Sequence, residues 1–158
     1  MARRNSSYIV AIDPGSASSG AIAMLYTDGA VQVEILPFVD NELDVGRLHD
    51  VLQQASFCLI EKPFIMPGNK NRGLTTQLIN YGQIKAIAKL SCPYQEVAPI
   101  TWKSKMHLAK QDKPHSIKVA KQYFSNLSLK RTARCKTECH NMAEAALMVA
   151  YARDYILS

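Results

Sequence analysis

The chain has 158 residues, 47% of them hydrophobic, and a formal charge of +6 from 19 Lys and Arg against 13 Asp and Glu. That is apolar material for one globular domain, read as residues 1–158, and too little chain for a two-domain nucleotide-clamping kinase or a TIM barrel. No apolar run approaches the ~18 residues of a membrane span, and the apolar stretch Tyr8 to Ile12 is too short for a signal peptide, so no membrane partner is expected. The expected setting is cytoplasmic and reducing, with Cys58, Cys92, Cys135 and Cys139 as free thiols.

Tyr8-Ile-Val-Ala-Ile-Asp13 is a short β-branched run ending in an acid, the pattern of a buried strand. Pro14-Gly15 turns the chain. Gly20 to Tyr26 is a second strand, Asp28-Gly29 a hairpin turn, and the alternating run Val31 to Leu36 completes an antiparallel meander. Leu43, Leu48, Val51 and Leu52 have helical spacing over residues 43–55. Phe57 to Glu61 is another apolar strand that closes on an acid. Residues 62–73, with two prolines, two glycines and three cations, read as a mobile basic loop. Thr75 or Thr76 is the expected cap of a helix carrying Leu78, Ile79, Ile84, Ile87 and Leu90. Tyr94 to Ala98 is a fifth strand closed by Pro99. Helices are expected over about 100–108 and 114–125, and from near Asn141 to Leu157, where Ala143, Leu147, Ala150 and Tyr151 share an apolar stripe. The order β-β-β-α-β-α-β-α-α predicts an α/β fold: a mixed five-stranded sheet with helices on both faces.

The positive charge is unevenly placed. Between residues 100 and 140 stand Lys103, Lys105, Lys110, Lys113, Lys118, Lys121, Lys130, Arg131, Arg134 and Lys136, against only Asp112 and Glu138. Interleaved with Trp102, Tyr123 and Phe124, this block reads as a face for nucleic acid. Lys62, Lys70 and Arg72 extend it, and strong salt dependence of binding follows.

Two apolar strands each end in a carboxylate, Asp13 and Glu61, which is costly unless something compensates the charge. A third acid, Glu144, sits among Ala143, Ala145 and Ala146, small neighbours that let a helix approach the sheet closely. His140 and Asn141 precede it by four and three positions, on the same helical face if the helix starts that early. Hard oxygen donors from separate elements suit Mg²⁺ or Mn²⁺, and two such ions beside a basic face suit phosphodiester chemistry. Cys135, Cys139 and His140 lack a good fourth ligand, and their spacing fits no strong zinc pattern.

Four segments together resemble the RuvC-type Holliday-junction resolvases, especially the compact phage and prophage branch: Ala11-Ile-Asp-Pro-Gly15 with Gly20; Leu59-Ile-Glu-Lys-Pro-Phe64; Val97-Ala-Pro with Trp102-Lys103; and His140-Asn-Met-Ala-Glu-Ala145. The resemblance spans residues 8 to about 153. It implies an RNase H-like fold and a homodimeric, divalent-metal endonuclease of DNA recombination and repair. Such an enzyme cuts two opposed strands of a four-way junction and leaves 5′-phosphate and 3′-hydroxyl ends. Asp13 then matches the acid that bridges two metal ions, Glu61 the second acid, and Glu144 the acid of the last helix. Lys103 and Lys113 match basic residues near the scissile phosphate, and Phe64 an aromatic at the crossover. Lys62, Lys70, Arg72, Lys103, Lys105, Lys110, Lys113 and Lys118 are the expected phosphate contacts.

One position departs from the pattern. Many relatives have a fourth acid three residues before the last one; here it is Asn141, with His140 adjacent. Either three carboxylates work with Asn141 or His140, or the chain is an Asp→Asn variant that traps DNA. The rival readings are a nuclease of the same fold for replication forks or other branched DNA, and a junction-binding protein with a weakened metal site. An actin-like ATPase module also begins with an Asp-x-Gly strand, but it needs a second phosphate loop and a longer chain.

Overall fold

The computed structural model describes residues 7–68 and 72–158. β1 (Tyr8–Asp13), β2 (Ala21–Tyr26) and β3 (Val31–Ile35) form the expected antiparallel meander. Gly29 turns the β2–β3 hairpin at φ +85°, which costs glycine little. A short hairpin follows, β4 (Phe38–Val39) and β5 (Glu42–Leu43). Its two turn residues, Asp40 and Asn41, both have positive φ (51° and 63°), a geometry that these side chains tolerate better than most. Leu43 therefore belongs to a strand rather than to the helix predicted over 43–55. That helix, α1, is only Val45–Leu52, because the Asp44 carboxylate caps it by accepting from the Arg47 amide at 3.0 Å.

β6 (Ala55–Glu61) pairs in parallel with β1. α2 (Arg72–Ser91) then crosses back and β7 (Tyr94–Val97) pairs in parallel with β6. The order β3-β2-β1-β6-β7 is the predicted mixed five-stranded sheet. α2 starts at Arg72, not at a Thr75 or Thr76 cap, so the end of the expected 62–73 loop is helical. Lys70 lies outside the described residues, as does the side chain of Arg72. α3 (Pro99–Lys105) opens on a proline, which suits a first helical turn. α4 (Lys113–Tyr123) is capped by Asp112, and α5 (His140–Tyr151) continues as a π-helical segment over Ala152–Ile156. No helix among the described residues is long and apolar enough to cross a membrane.

The sheet separates two cores. Val10, Ile12, Cys58 and Ile60 face α1 and α2, where Leu48, Leu52, Ile84 and Ala88 are buried. Ala11, Ala23 and Leu59 face α3, α4 and α5. α5 is buried almost all round, since Ala143, Ala145, Ala146 and Ala150 lie against the alanines of β1 and β2 with no side chain long enough to hold helix and sheet apart. α2 is more exposed than its apolar composition implies: Ile84 is buried, but Ile79 and Leu90 are open to solvent.

The β1–β2 turn is stapled in place. The Ser16 amide donates to Ser19 Oγ at 2.9 Å, and the Gly20 amide to the Ser16 carbonyl at 2.8 Å. From α2, Asn80 donates to the Gly15 carbonyl at 2.8 Å and Gln77 to the Pro14 carbonyl at 3.0 Å. A Cβ on Gly15 would lie 2.6 Å from the Gly20 backbone nitrogen, so only glycine fits. Gly15→Ala is expected to destabilise the protein by about 1–3 kcal/mol through this overpacking, measured by denaturant unfolding. A wild-type midpoint would show that the turn relaxes freely.

Candidate functional site

Side chains alternate along a strand, so Ile9, Ala11 and Asp13 share one face of β1, and Phe57, Leu59 and Glu61 one face of β6. Both sets point toward α5. Ile12 pairs with Ile60 across the parallel ladder, and the next residue on each strand is an acid. Asp13 and Glu61 therefore stand at neighbouring strand ends. Asp13 is 8% exposed, and among the described residues its carboxylate has no hydrogen-bond or ion-pair partner. Burial first, then the Glu61 and Glu144 charges, push its pKa well above the usual carboxylate range. Burial also raises Glu61; the Trp102 hydrogen bond and Lys103 pull the other way without cancelling the effect.

The third acid arrives from α5. Glu144 Oε2 accepts from Lys103 Nζ at 2.9 Å in a partly buried ion pair. Burial pulls the Lys103 ammonium toward neutrality, but Glu144, Glu61 and Asp13 outweigh it and raise its pKa. The neighbouring Trp102 is fully buried, and its indole N–H donates to Glu61 Oε2 at 2.5 Å. That bond was not legible in the sequence, where Trp102 stood out only as an aromatic of the basic block and beside Lys103 in one of the four resembling segments.

Asn141 and His140 diverge because successive helical residues point about 100° apart. Asn141 lines a cleft of about 260 Å³ with Asp13, Gly15, Ser16, Ser19 and Gln77. His140 lines a second, of about 510 Å³, with Lys103, Lys110, Lys113 and Glu144. Burial and the Lys113 charge lower the pKa of His140 and favour the neutral ring. Ser16 and Ser19 were not singled out from sequence. Their only signal was the polar run that follows Asp-Pro-Gly.

The expected phosphate contacts whose side chains are described fall into three groups. Lys103, Lys110 and Lys113 converge on the larger cleft, where Lys110 holds a left-handed backbone at φ 59°. Lys105 and Lys118 line neither cleft; Lys105 lies over the Tyr155 ring, 5.8 Å from its centroid, and Lys118 is exposed on α4. Lys62 and Phe64 follow Glu61 directly and are exposed, Phe64 by 72%, with Ile65 and Met66 beside it. Exposure of three successive large apolar side chains suits contact with a partner surface better than core packing.

The donor chemistry fits a hard divalent cation: mutually repelling carboxylates at one end of the sheet, with an amide carbonyl beside them. Among the described residues, however, no three His, Cys, Asp or Glu side chains form a ready-made metal-holding group. Trp102 and Lys103 engage Glu61 and Glu144 instead.

Sheet order, crossover helix and last-helix packing together define the RNase H-like class of α/β fold. Within that class the chain is similar to Thermus thermophilus RuvC, with a TM-score of 0.56 at 17% identity over 92% of this chain and 95% of that one. It is similar also to T. thermophilus RuvC in complex with Holliday junction substrate, with a TM-score of 0.65 at 15% identity over 94% of each chain. No protein-family model and no curated protein matches the sequence. The likeness establishes the fold.

Asp13 and Glu61 bind protons more tightly in the folded than in the unfolded chain. Their contribution to stability is therefore greatest below the ordinary carboxylate range and is lost as pH rises through their raised folded values. In chelator at neutral pH, Asp13→Asn is expected to raise the melting temperature, with the gain shrinking as the solution is acidified. Equal melting curves at every pH would contradict the assigned burial of the charge.

Proposed function

We propose that the protein is a RuvC-type endonuclease that hydrolyses phosphodiesters at four-way DNA junctions, acting as a homodimer. The observation that carries this reading is the meeting of Asp13, Glu61 and Glu144 at one end of the sheet, beside a lysine-lined cleft. The fold is that of a protein whose structure was solved with a Holliday junction.

Asp13, Glu61, Asn141 and Glu144 would hold one or two Mg²⁺ or Mn²⁺ ions, which supply Lewis-acid polarisation of the phosphate and acidify a bound water. The chain's own residues do the rest. Lys103 and Lys113, on the wall of the larger cleft, offset charge that builds on the scissile phosphate. His140, held neutral beside Lys113, can accept a proton there. Lys110 and Lys62 contact flanking phosphates, and Phe64 packs at the crossover. Hydrolysis leaves 5′-phosphate and 3′-hydroxyl ends. Cutting two opposed strands needs two such sites, hence two chains. The exposed apolar residues of α2, Ile79 and Leu90, are suitable for joining them.

Cleavage of a synthetic four-way junction in Mg²⁺ and Mn²⁺, beside a panel of forks and flaps, tests the reading. Asp13→Asn should keep junction binding and abolish cutting; a mutant that still cuts removes the assignment. Asn141→Asp, which adds a charge beside Asp13, should increase cleavage. Binding without cleavage by both the wild type and Asn141→Asp would favour a junction-binding protein, and equal cutting of forks and junctions a broader branched-DNA nuclease. In binding assays, Lys110→Ala and Lys113→Ala should each reduce the slope of log affinity against log salt by about 1. An unchanged slope would place the DNA elsewhere.

A further inference from the structure

Two adjacent residues of one short helix each grip a different carboxylate of the site. Trp102 donates its indole N–H to Glu61 at 2.5 Å, and Lys103 its ammonium to Glu144 at 2.9 Å. The two side chains are also stacked, with Lys103 Nζ 5.4 Å from the centroid of the Trp102 ring. Trp102 is fully buried in the core under α5, so its N–H is a fixed point. Lys103 is partly exposed, and its four-carbon stem can turn toward the cleft that it lines. One anchor is rigid and the other can leave.

We infer that Trp102 and Lys103 are positioning residues that keep the site assembled before an ion binds. Trp102 fixes the orientation of the Glu61 carboxylate, and Lys103 occupies Glu144 as a built-in cation that a divalent ion must displace. The inference rests on the nuclease reading and deepens it. Two requirements support it. Three acids that repel one another need a cation nearby to stay together, and Lys103 Nζ stands 2.9 Å from Glu144 Oε2. A carboxylate that is to ligate must also be held by an outer partner, which for Glu61 is the indole. Once released from Glu144, the Lys103 ammonium is free to meet phosphate in the cleft.

Trp102 is the chain's single tryptophan, so its emission reports on the surroundings of one indole, the Glu61 and Lys103 contacts included. The test is Mn²⁺ titration of the DNA-free protein by calorimetry for wild type, Trp102→Phe and Lys103→Met, with emission followed in the two proteins that retain the indole. Wild-type emission should change with the calorimetric midpoint. Trp102→Phe should bind Mn²⁺ about tenfold more weakly, and Lys103→Met severalfold more tightly. A general loosening of the site would weaken both variants, so the opposite signs separate positioning from structural damage. Thermal melts identify a Trp102→Phe protein that has not folded; the Lys103→Met and wild-type emission arms then decide alone. Binding by wild type with no emission change and no tightening in Lys103→Met overturns this inference only. Absence of Mn²⁺ binding by both wild type and Lys103→Met overturns the nuclease reading with it.

Discussion

The parallel pairing of β1 with β6 is the constraint on which the site depends. With Ile12 opposite Ile60, the acids that follow are brought to adjacent strand ends on one face of the sheet. A register shift of one residue would turn either acid to the opposite face, among the apolar side chains of α1 and α2. Burial makes both acids unfavourable when ionised, and the Glu61 and Glu144 charges add to that cost at Asp13. A fold keeps such an arrangement only where the rest of the structure holds it in place, and local destabilisation of this kind is typical of functional positions.

Much of that support comes from the alanines. Ala11, Ala21 and Ala23 on the sheet meet Ala143, Ala145, Ala146 and Ala150 on α5, and the close approach brings Glu144 to the strand ends. The same helix then sends its first two side chains to different places, Asn141 to the Asp13 cleft and His140 to the lysine-lined one. From the other side of the sheet, α2 reaches the β1–β2 turn with Asn80 and Gln77, and so ties the backbone beside Asp13 to the second core. The site is thus braced from both faces.

The strands were readable because their signals are local. Tyr8–Asp13 and Phe57–Glu61 are apolar, β-branched runs closed by an acid, and Asp28-Gly29 is a strong turn pair. Boundaries that depend on a cap were less readable. A threonine within α2 looked like its start, whereas the helix begins three residues before Thr75. Leu43 fitted a helical stripe but lies in a two-residue strand, because Asp40 and Asn41 adopt a left-handed turn that no periodicity reveals. On α2 the exposure of Ile79 and Leu90 could not be read from a sequence that is apolar on nearly every side.

The amino-acid sequence by itself determined the class of fold, the three acids and the basic block, because each is written in residue type and short-range spacing. Only the tertiary structure decided which of these residues meet. Lys103 and Lys113 share a cleft with Glu144 while Lys118 lines neither cleft, and Trp102, read from the sequence among the aromatics of the basic block, turns out to hold Glu61. The physical reason is separation along the chain. Glu61 and Trp102 are 41 residues apart, as are Lys103 and Glu144, and contacts at that distance are set by sheet register and helix packing rather than by any local preference.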